Sequence, residues 1–146
     1  MNELIKRFES KGLSVLAFPC NQFGHKENCN NDEILKMLKY VRPGDNYKPK
    51  FDMMAKIEVN GSNAHPLFKY LKEQLPYPSD DRTSLMENKR FIIWNPVERN
   101  DISWNFNKFL VGRDGKPVKR YSKKFLPKDI AEDVEEQLEK SSGTLY

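Results

Sequence analysis

Cysteine is nearly missing from this chain of 146 residues: there are two, Cys20 and Cys29. Two thiols are too few for a disulfide scaffold and show no partner pattern for zinc, and they fit a reducing compartment better than an oxidising one. No apolar run approaches the roughly 18 residues that a membrane span needs. The opening stretch, MNELIKRFESKG, carries acidic residues and no apolar core, so it reads as neither a secretory nor a transit peptide. Internal repeats and low-complexity tracts are also lacking, which excludes repeat architectures. The charge excess is modest, 25 Lys and Arg against 21 Asp and Glu, a formal +4 that favours anionic partners in general. What is present, 38% hydrophobic and 32% charged residues, is the composition of an ordinary globular domain able to bury one core.

The elements are mixed. Leu4, Ile5 and Phe8 predict a helix over Met1 to Ser10, with Gly12 placed to end it, and Leu13 to Phe18 follows as a buried strand. Asn30 or Asn31 can cap a second helix with Asp32 and Glu33 in its first turn, an inner face of Ile34, Leu38 and Val41, and a stop at Pro43 and Gly44. Ile57 to Val59 reads as a short strand before a turn at Asn60 and Gly61. Pro66 opens a third helix, Leu67 to Leu75. A long polar stretch, Pro76 to Arg90, has the length of a functional or interfacial loop. FNKFLVGRDGKPVKRYS alternates around Gly112 to Pro117 as a hairpin, and Ile130, Val134 and Leu138 line the last helix.

Helices and strands in this order predict an α/β sheet with covered faces, whose parallel strands are joined by helical crossovers. The first helix has no strand before it, so the pattern predicts that N-terminal strand or strands are missing, the domain being otherwise a single one over residues 1–146.

Five motifs carry a resemblance: FPCNQFG, YVRPG, VNGSNAHPLF, WNFNKFLVGRDG and KRYSKKF. In order and approximate spacing they are similar to those of the glutathione peroxidases, from Met1 to about Leu138, nearest to the tetrameric, cytosolic, selenium-dependent type. The resemblance implies a thioredoxin-like fold, a central mixed sheet flanked by helices, and reduction of hydrogen peroxide and organic hydroperoxides by glutathione in the response to oxidative stress. It implies no bound cofactor, glutathione being a reducing co-substrate. The family's peroxidatic selenocysteine or cysteine would lie about three helical turns upstream of Met1. In selenium-dependent members its codon is also a stop signal, so a gene reading could begin at the next methionine. On this reading the chain as printed is inactive.

Gln22 matches the family's catalytic glutamine. An amide N–H aimed at a thiolate or selenolate stabilises the anion and keeps it nucleophilic at neutral pH. Read from the residues alone, Asn21 and Gln22 could equally cap a turn. Trp104 and Asn105 in SWNF match the other two catalytic positions, the indole being a donor only and the amide adding a second donor. Filling the core is the other reading for a tryptophan. FIIWNPV also holds a Trp-Asn pair at Trp94, but the residues after Trp104 follow the family run. Cys20 is the strand-end residue of its motif, a buried thiol rather than the peroxidatic one. Cys29 lies in a polar loop before a helix and is taken as a spectator. Thioredoxin-dependent relatives carry a resolving cysteine near the position of Lys39; its absence points to glutathione.

By resemblance, Arg42, Lys123 and Lys124 occupy substrate-contact positions, where cationic groups meet the carboxylates of glutathione. Lysine in place of arginine at the last two keeps the charge and loses the bidentate fork. Asn30 stands where a lysine contact can occur. Arg113, Lys116, Lys119, Arg120, Lys123, Lys124 and Lys128 form a basic run whose other reading is a solvated hairpin face. The stretch from Pro76 to Asp101 resembles the insertion of tetrameric members, which implies a homotetramer; the family resemblance also implies a cytoplasmic protein with neither nucleic-acid nor membrane partners. Two rivals stand beside this reading. One is a non-catalytic thioredoxin-fold subunit or binding module. The other is nucleic-acid binding through the basic hairpin, against which the interspersed acidic residues argue.

Overall fold

Leu4, Ile5 and Phe8 are buried together on one side of helix α1, Asn2–Phe8, in the computed structural model. The structure describes residues 1–82 and 89–142. A 3-10 turn, Glu9–Lys11, continues α1, and Gly12 ends it at φ +102°, a left-handed conformation that glycine adopts without steric cost. Strand β1, Leu16–Ala17, pairs in parallel with β2, Asp52–Met53. β1 is shorter and less buried than the run Leu13 to Phe18 suggests, with Leu16 52% exposed, because β2 is its one ladder partner among the described residues. The parallel alignment outlasts the ladder: Ile57 N–H still donates to the Pro19 carbonyl at 3.0 Å.

Helix α2, Asn31–Tyr40, begins with the Glu33 carboxylate accepting from Asn30 N–H at 2.8 Å, the returning half of a capping box. Ile34 is buried on it. Val41 is instead its C-cap residue and stands 73% exposed, so the inner stripe stops one turn earlier than the spacing suggests. Helix α3, Pro66–Gln74, has proline in its first turn, and His65 Nδ1 accepts from Leu67 N–H at 3.2 Å. Strands β3, Lys108–Val111, and β4, Pro117–Tyr121, form the expected antiparallel hairpin. A 3-10 turn, Pro127–Ile130, leads into helix α4, Ala131–Ser142. The mixed α/β character is as expected, with the described strands divided between two two-stranded sheets. No described helix is long and apolar enough to cross a membrane.

Two apolar clusters hold these pieces. Leu4 and Phe8 of α1 pack with Tyr121 of β4 and with Ile130 and Val134, which join α4 to α1 and the hairpin; Leu138 packs at the margin. Cys20, Phe23, Val59, Trp94 and Ile102 form the second cluster, with Trp104 and Phe109 against it. Burying a side chain such as Phe8, which is fully inaccessible, contributes about 2 kcal/mol. The α4 contact has a polar anchor as well. Tyr121 Oη donates to Asp133 at 2.8 Å, and Lys119 Nζ reaches both Asp133 oxygens at 2.9 Å.

Burial works to raise the Asp133 pKa, but the bonds from Lys119 and Tyr121 outweigh it and hold the group below its ordinary 3.8. A carboxylate held low in the folded state contributes stability that is present above pH 3.8 and is lost as pH falls through the folded value. Asp133→Asn is therefore expected to lower stability near neutral pH and to flatten the acid limb of a stability-against-pH curve measured by urea unfolding. An unchanged acid limb would show that Asp133 does not anchor α4.

Candidate active site

Gln22 lies in the polar loop that follows β1 and is 5% exposed. Its Oε1 accepts from Val59 N–H and Asn60 N–H, both at 3.0 Å, and its Nε2 donates to the Asn60 carbonyl at 3.0 Å. The side chain thus takes the N–H groups of Val59 and Asn60 that a ladder partner would take, while Ile57 still pairs with the Pro19 carbonyl, and the expected strand Ile57 to Val59 does not form. An amide has two N–H groups, and this one commits a single hydrogen to protein among the described residues. The preceding Cys20 is buried, 3.6 Å from Gln22 Oε1, and burial pushes its thiol up, the inert state expected of it. Asn21 does cap the loop: its Oδ1 accepts from Glu27 N–H and its Nδ2 donates to Asn28.

A buried polar frame stands behind Gln22. Asn60 is wholly inaccessible; its Nδ2 donates to the Ile102 carbonyl at 2.8 Å and its Oδ1 accepts from Ile102 N–H at 2.9 Å. Lys72 of α3 reaches Asn60 Oδ1 at 3.2 Å and Asp101 Oδ1 at 3.1 Å, an ion pair with side chains only 4% and 5% exposed. Asp101 Oδ2 accepts from the Trp94 indole and from Glu98 N–H, each at 2.8 Å. Arg120 does not belong to the solvated face of the hairpin. It is 1% exposed and donates to the carbonyls of Leu75, Pro76, Asn100 and Asp101. Burial pulls its pKa down to about 10, with Asp101 opposing, so it remains charged at neutral pH. Lys72, Asp101 and Arg120 were not legible as buried groups, since charged side chains predict surface.

The frame delivers Ile102, and two residues later the chain turns at Trp104 and Asn105. Trp104 packs on Phe23 at 6.1 Å between ring centroids and on Phe91 at 5.7 Å. A Cβ on Gly24 would meet the Trp104 ring at 3.2 Å, so the loop that carries Gln22 and the turn that carries Trp104 touch. The two tryptophans separate clearly. Trp94 spends its indole N–H on Asp101, whereas the N–H of half-buried Trp104 and the amide of Asn105 meet no protein acceptor among the described residues. The turn itself is tight, with Phe106 at φ +66° and Asn107 Nδ2 donating to the Trp104 carbonyl at 3.1 Å.

Of the three cationic candidates, one reaches this place. Lys123 Nζ lies 5.5 Å from the Trp104 ring centroid, a cation–π distance. Lys124 is exposed beside it, its N–H donating to Ser122 Oγ. Arg42 is exposed just past α2. Lys108 ties the two turns together, donating to the carbonyls of Phe106, Ser122 and Phe125 at 2.6, 3.3 and 2.8 Å. Burial draws Lys108 below the ordinary lysine value, opposed by Asp80. Elsewhere in the basic run, Arg113 donates to the Lys11 carbonyl, Lys116 pairs with Asp114 and Lys119 with Asp133. Among the described residues no three His, Cys, Asp or Glu side chains gather as metal ligands.

A family model described as Glutathione peroxidase matches residues 1–72. Glutathione peroxidase 1 of Sus scrofa is 62% identical over 135 residues, covering 92% of this chain and 66% of its own length. Glutathione peroxidase 1 of Mus musculus is 59% identical over 143 residues, covering 98% and 71%. The chain thus spans 66% to 71% of the length of these relatives. The crystal structure of Trgpx in apo form superposes with a TM-score of 0.61 at 28% identity, over 94% of this chain and 67% of that one. The crystal structure of T. cruzi GPX1 gives 0.60 at 31% identity, over 94% and 68%. Together they show the thioredoxin-like α/β fold.

Gln22→Ala would leave two buried N–H groups and a carbonyl at Val59 and Asn60 without partners. A loss of about 3 kcal/mol is expected in chemical denaturation, and Gln22→Glu, which sets a carboxylate oxygen against the Asn60 carbonyl, is expected to lose stability as well. Equal stability of Gln22→Ala and the parent would show that water replaces the amide.

Proposed function

The chain belongs to the glutathione peroxidase family, and from that premise we propose that the protein reduces hydrogen peroxide and organic hydroperoxides with glutathione. The family's peroxidatic selenocysteine or cysteine is neither Cys20 nor Cys29 on this reading, and this chain supplies its setting. One observation carries the reading: Gln22 and the Trp104–Asn105 turn are brought into contact through Phe23 and Gly24, and each keeps a donor that meets no acceptor among the described residues. Donors fixed in advance around a developing anion act strongly where water is partly excluded.

The chemistry balances without a resident cofactor. A chalcogenolate attacks the outer peroxide oxygen; the O–O bond breaks, the chalcogen is oxidised to a selenenic or sulfenic acid, and the alcohol or water leaves with a proton. One glutathione thiol then forms a mixed selenenyl sulfide or disulfide with loss of water. A second displaces the chalcogenolate as oxidised glutathione is released. Gln22, Trp104 and Asn105 stabilise the anion at the start and end of this cycle. Arg42, Lys123 and Lys124 hold glutathione carboxylates, and Lys123 is supported in that role by its seat over the Trp104 ring.

The assembly is a cytoplasmic homotetramer on this reading. Support for the interface comes from the loop at Pro76 to Asp101, whose described parts expose Tyr77, Ile93 and Val97 while Ser79 and Asp80 anchor it to Arg120 and Ser122. The middle of that loop, 83–88, lies outside the described residues.

In a coupled peroxide and glutathione assay, the chain from Met1 to Tyr146 alone is expected to give no turnover; a rate near that of an intact relative would show that Cys20 or Cys29 is the peroxidatic group. In the protein extended to include the peroxidatic residue, Trp104→Phe keeps the ring contacts and removes the N–H. The rate constant for peroxide is expected to drop on the order of 100-fold, and an unchanged rate would remove Trp104 from the site.

A further inference from the structure

Asn60 makes the same kind of contact twice. Its main chain closes a two-bond ring with the Gln22 amide: N–H to Oε1 and carbonyl from Nε2, both at 3.0 Å. Its side chain closes a second ring with Ile102, Nδ2 to the carbonyl at 2.8 Å and Oδ1 from the N–H at 2.9 Å. One residue thus links the loop that carries Gln22 to the segment that delivers Trp104. From these two rings we infer that Asn60 is a positioning residue, setting the separation between the Gln22 and Trp104 donors. The inference rests on the reading that both donors serve one chalcogen anion.

The residue type fits the task. A primary amide carries a donor and an acceptor on a single planar carbon, which is what pairing with both groups of one backbone residue requires. An ionised aspartate offers acceptors alone, and a serine hydroxyl is a single atom. The orientation of the amide is fixed twice over, because Ile102 N–H and the Lys72 ammonium both point to Oδ1. Residue 60 also has little room to shift. A Cβ on the following Gly61, at φ +81°, would lie 3.0 Å from the Trp94 side chain and 3.2 Å from the Asn95 carbonyl. Asn60 therefore has a rigid wall on one side and the two rings on the others, and a lost ring lets residues 102 to 104 relax away from Gln22.

The test has two arms. In this chain, Asn60→Ala and Asn60→Asp are read by NMR at the Gln22 side-chain amide and the Trp104 indole N–H, neither of which Asn60's side chain touches. Both resonances are expected to shift, more in Asn60→Asp, where a carboxylate oxygen faces the Ile102 carbonyl. Unmoved Trp104 in folded variants overturns the inference, whatever becomes of the catalytic reading. Should Asn60→Ala fail to fold, Asn60→Ser is read in its place. In the protein extended with a peroxidatic cysteine, the pH midpoint of iodoacetamide alkylation at that cysteine is followed by mass spectrometry. Asn60→Ala is expected to raise the midpoint by about one pH unit, a tenfold loss of thiolate well below the midpoint, as Trp104→Phe should. If Trp104→Phe moves the midpoint and Asn60→Ala lowers stability alone, Asn60 is structural and the inference fails. If neither Trp104→Phe nor Gln22→Glu moves it while the NMR shifts are seen, the catalytic reading fails and the spacing role stands.

Discussion

Asp101 is a carboxylate taken almost wholly out of water, and that is tolerable because both of its oxygens accept hydrogen bonds, one of them from an ammonium. Lys72 meets one oxygen, and the Trp94 indole and Glu98 N–H meet the other. Arg120, the second buried cation, completes the arrangement through the Asp101 carbonyl and three more. Removing one member of such a pair leaves an unpaired buried charge and typically costs about 3–5 kcal/mol. Three segments converge on this residue: α3, the loop before residue 101 and the β3–β4 hairpin. An apolar cluster of the same size would exclude water equally well, but it would not fix which backbone groups face one another.

That directional constraint is what the site inherits. The Gln22 amide is at once a structural plug against Val59 and Asn60 and the carrier of a second N–H that meets no acceptor among the described residues. Its rigidity comes from the frame behind it. The aromatic layer of Phe23, Trp104 and Phe91 adds contact without much direction, and Lys123 lies over one face of it. Lys108 extends the same logic outward, binding the Trp104 turn to the turn that bears Lys123 and Lys124 through three carbonyls. Asp80 holds the second of these turns from the other side through Ser122, against the cost of its own partial burial. The surface proposed to bind an anionic co-substrate is in this way mechanically continuous with the long loop proposed as an interface.

Much of the architecture was legible. The spacing of Leu4, Ile5 and Phe8, the proline at the start of α3, the hairpin around Gly112 to Pro117 and the stripe from Ile130 to Leu138 all reappear in the structure. These are local matters, set by periodicity and by backbone preferences that neighbouring residues share. The strand readings fared worse. Leu16 is half exposed and Ile57 to Val59 forms no strand; a strand is defined by its partner, and at Val59 and Asn60 a glutamine side chain takes the N–H groups. Arg120 sat unnoticed within a run of cations, since composition gives no sign of which member of a charge run points inward.

The sequence by itself determined family membership, the helices and the hairpin, and it named the groups proposed to stabilise an anion, because motif order and periodicity are written in neighbouring residues. The tertiary structure alone decided which tryptophan spends its N–H on Asp101, which cations are buried and which asparagine joins Gln22 to the segment before Trp104. Those choices depend on residues about 40 positions apart sharing hydrogen bonds, as Asn60 does with Ile102 and Gln22. A buried polar group must find its partner wherever the fold brings one, and no local pattern announces where that will be.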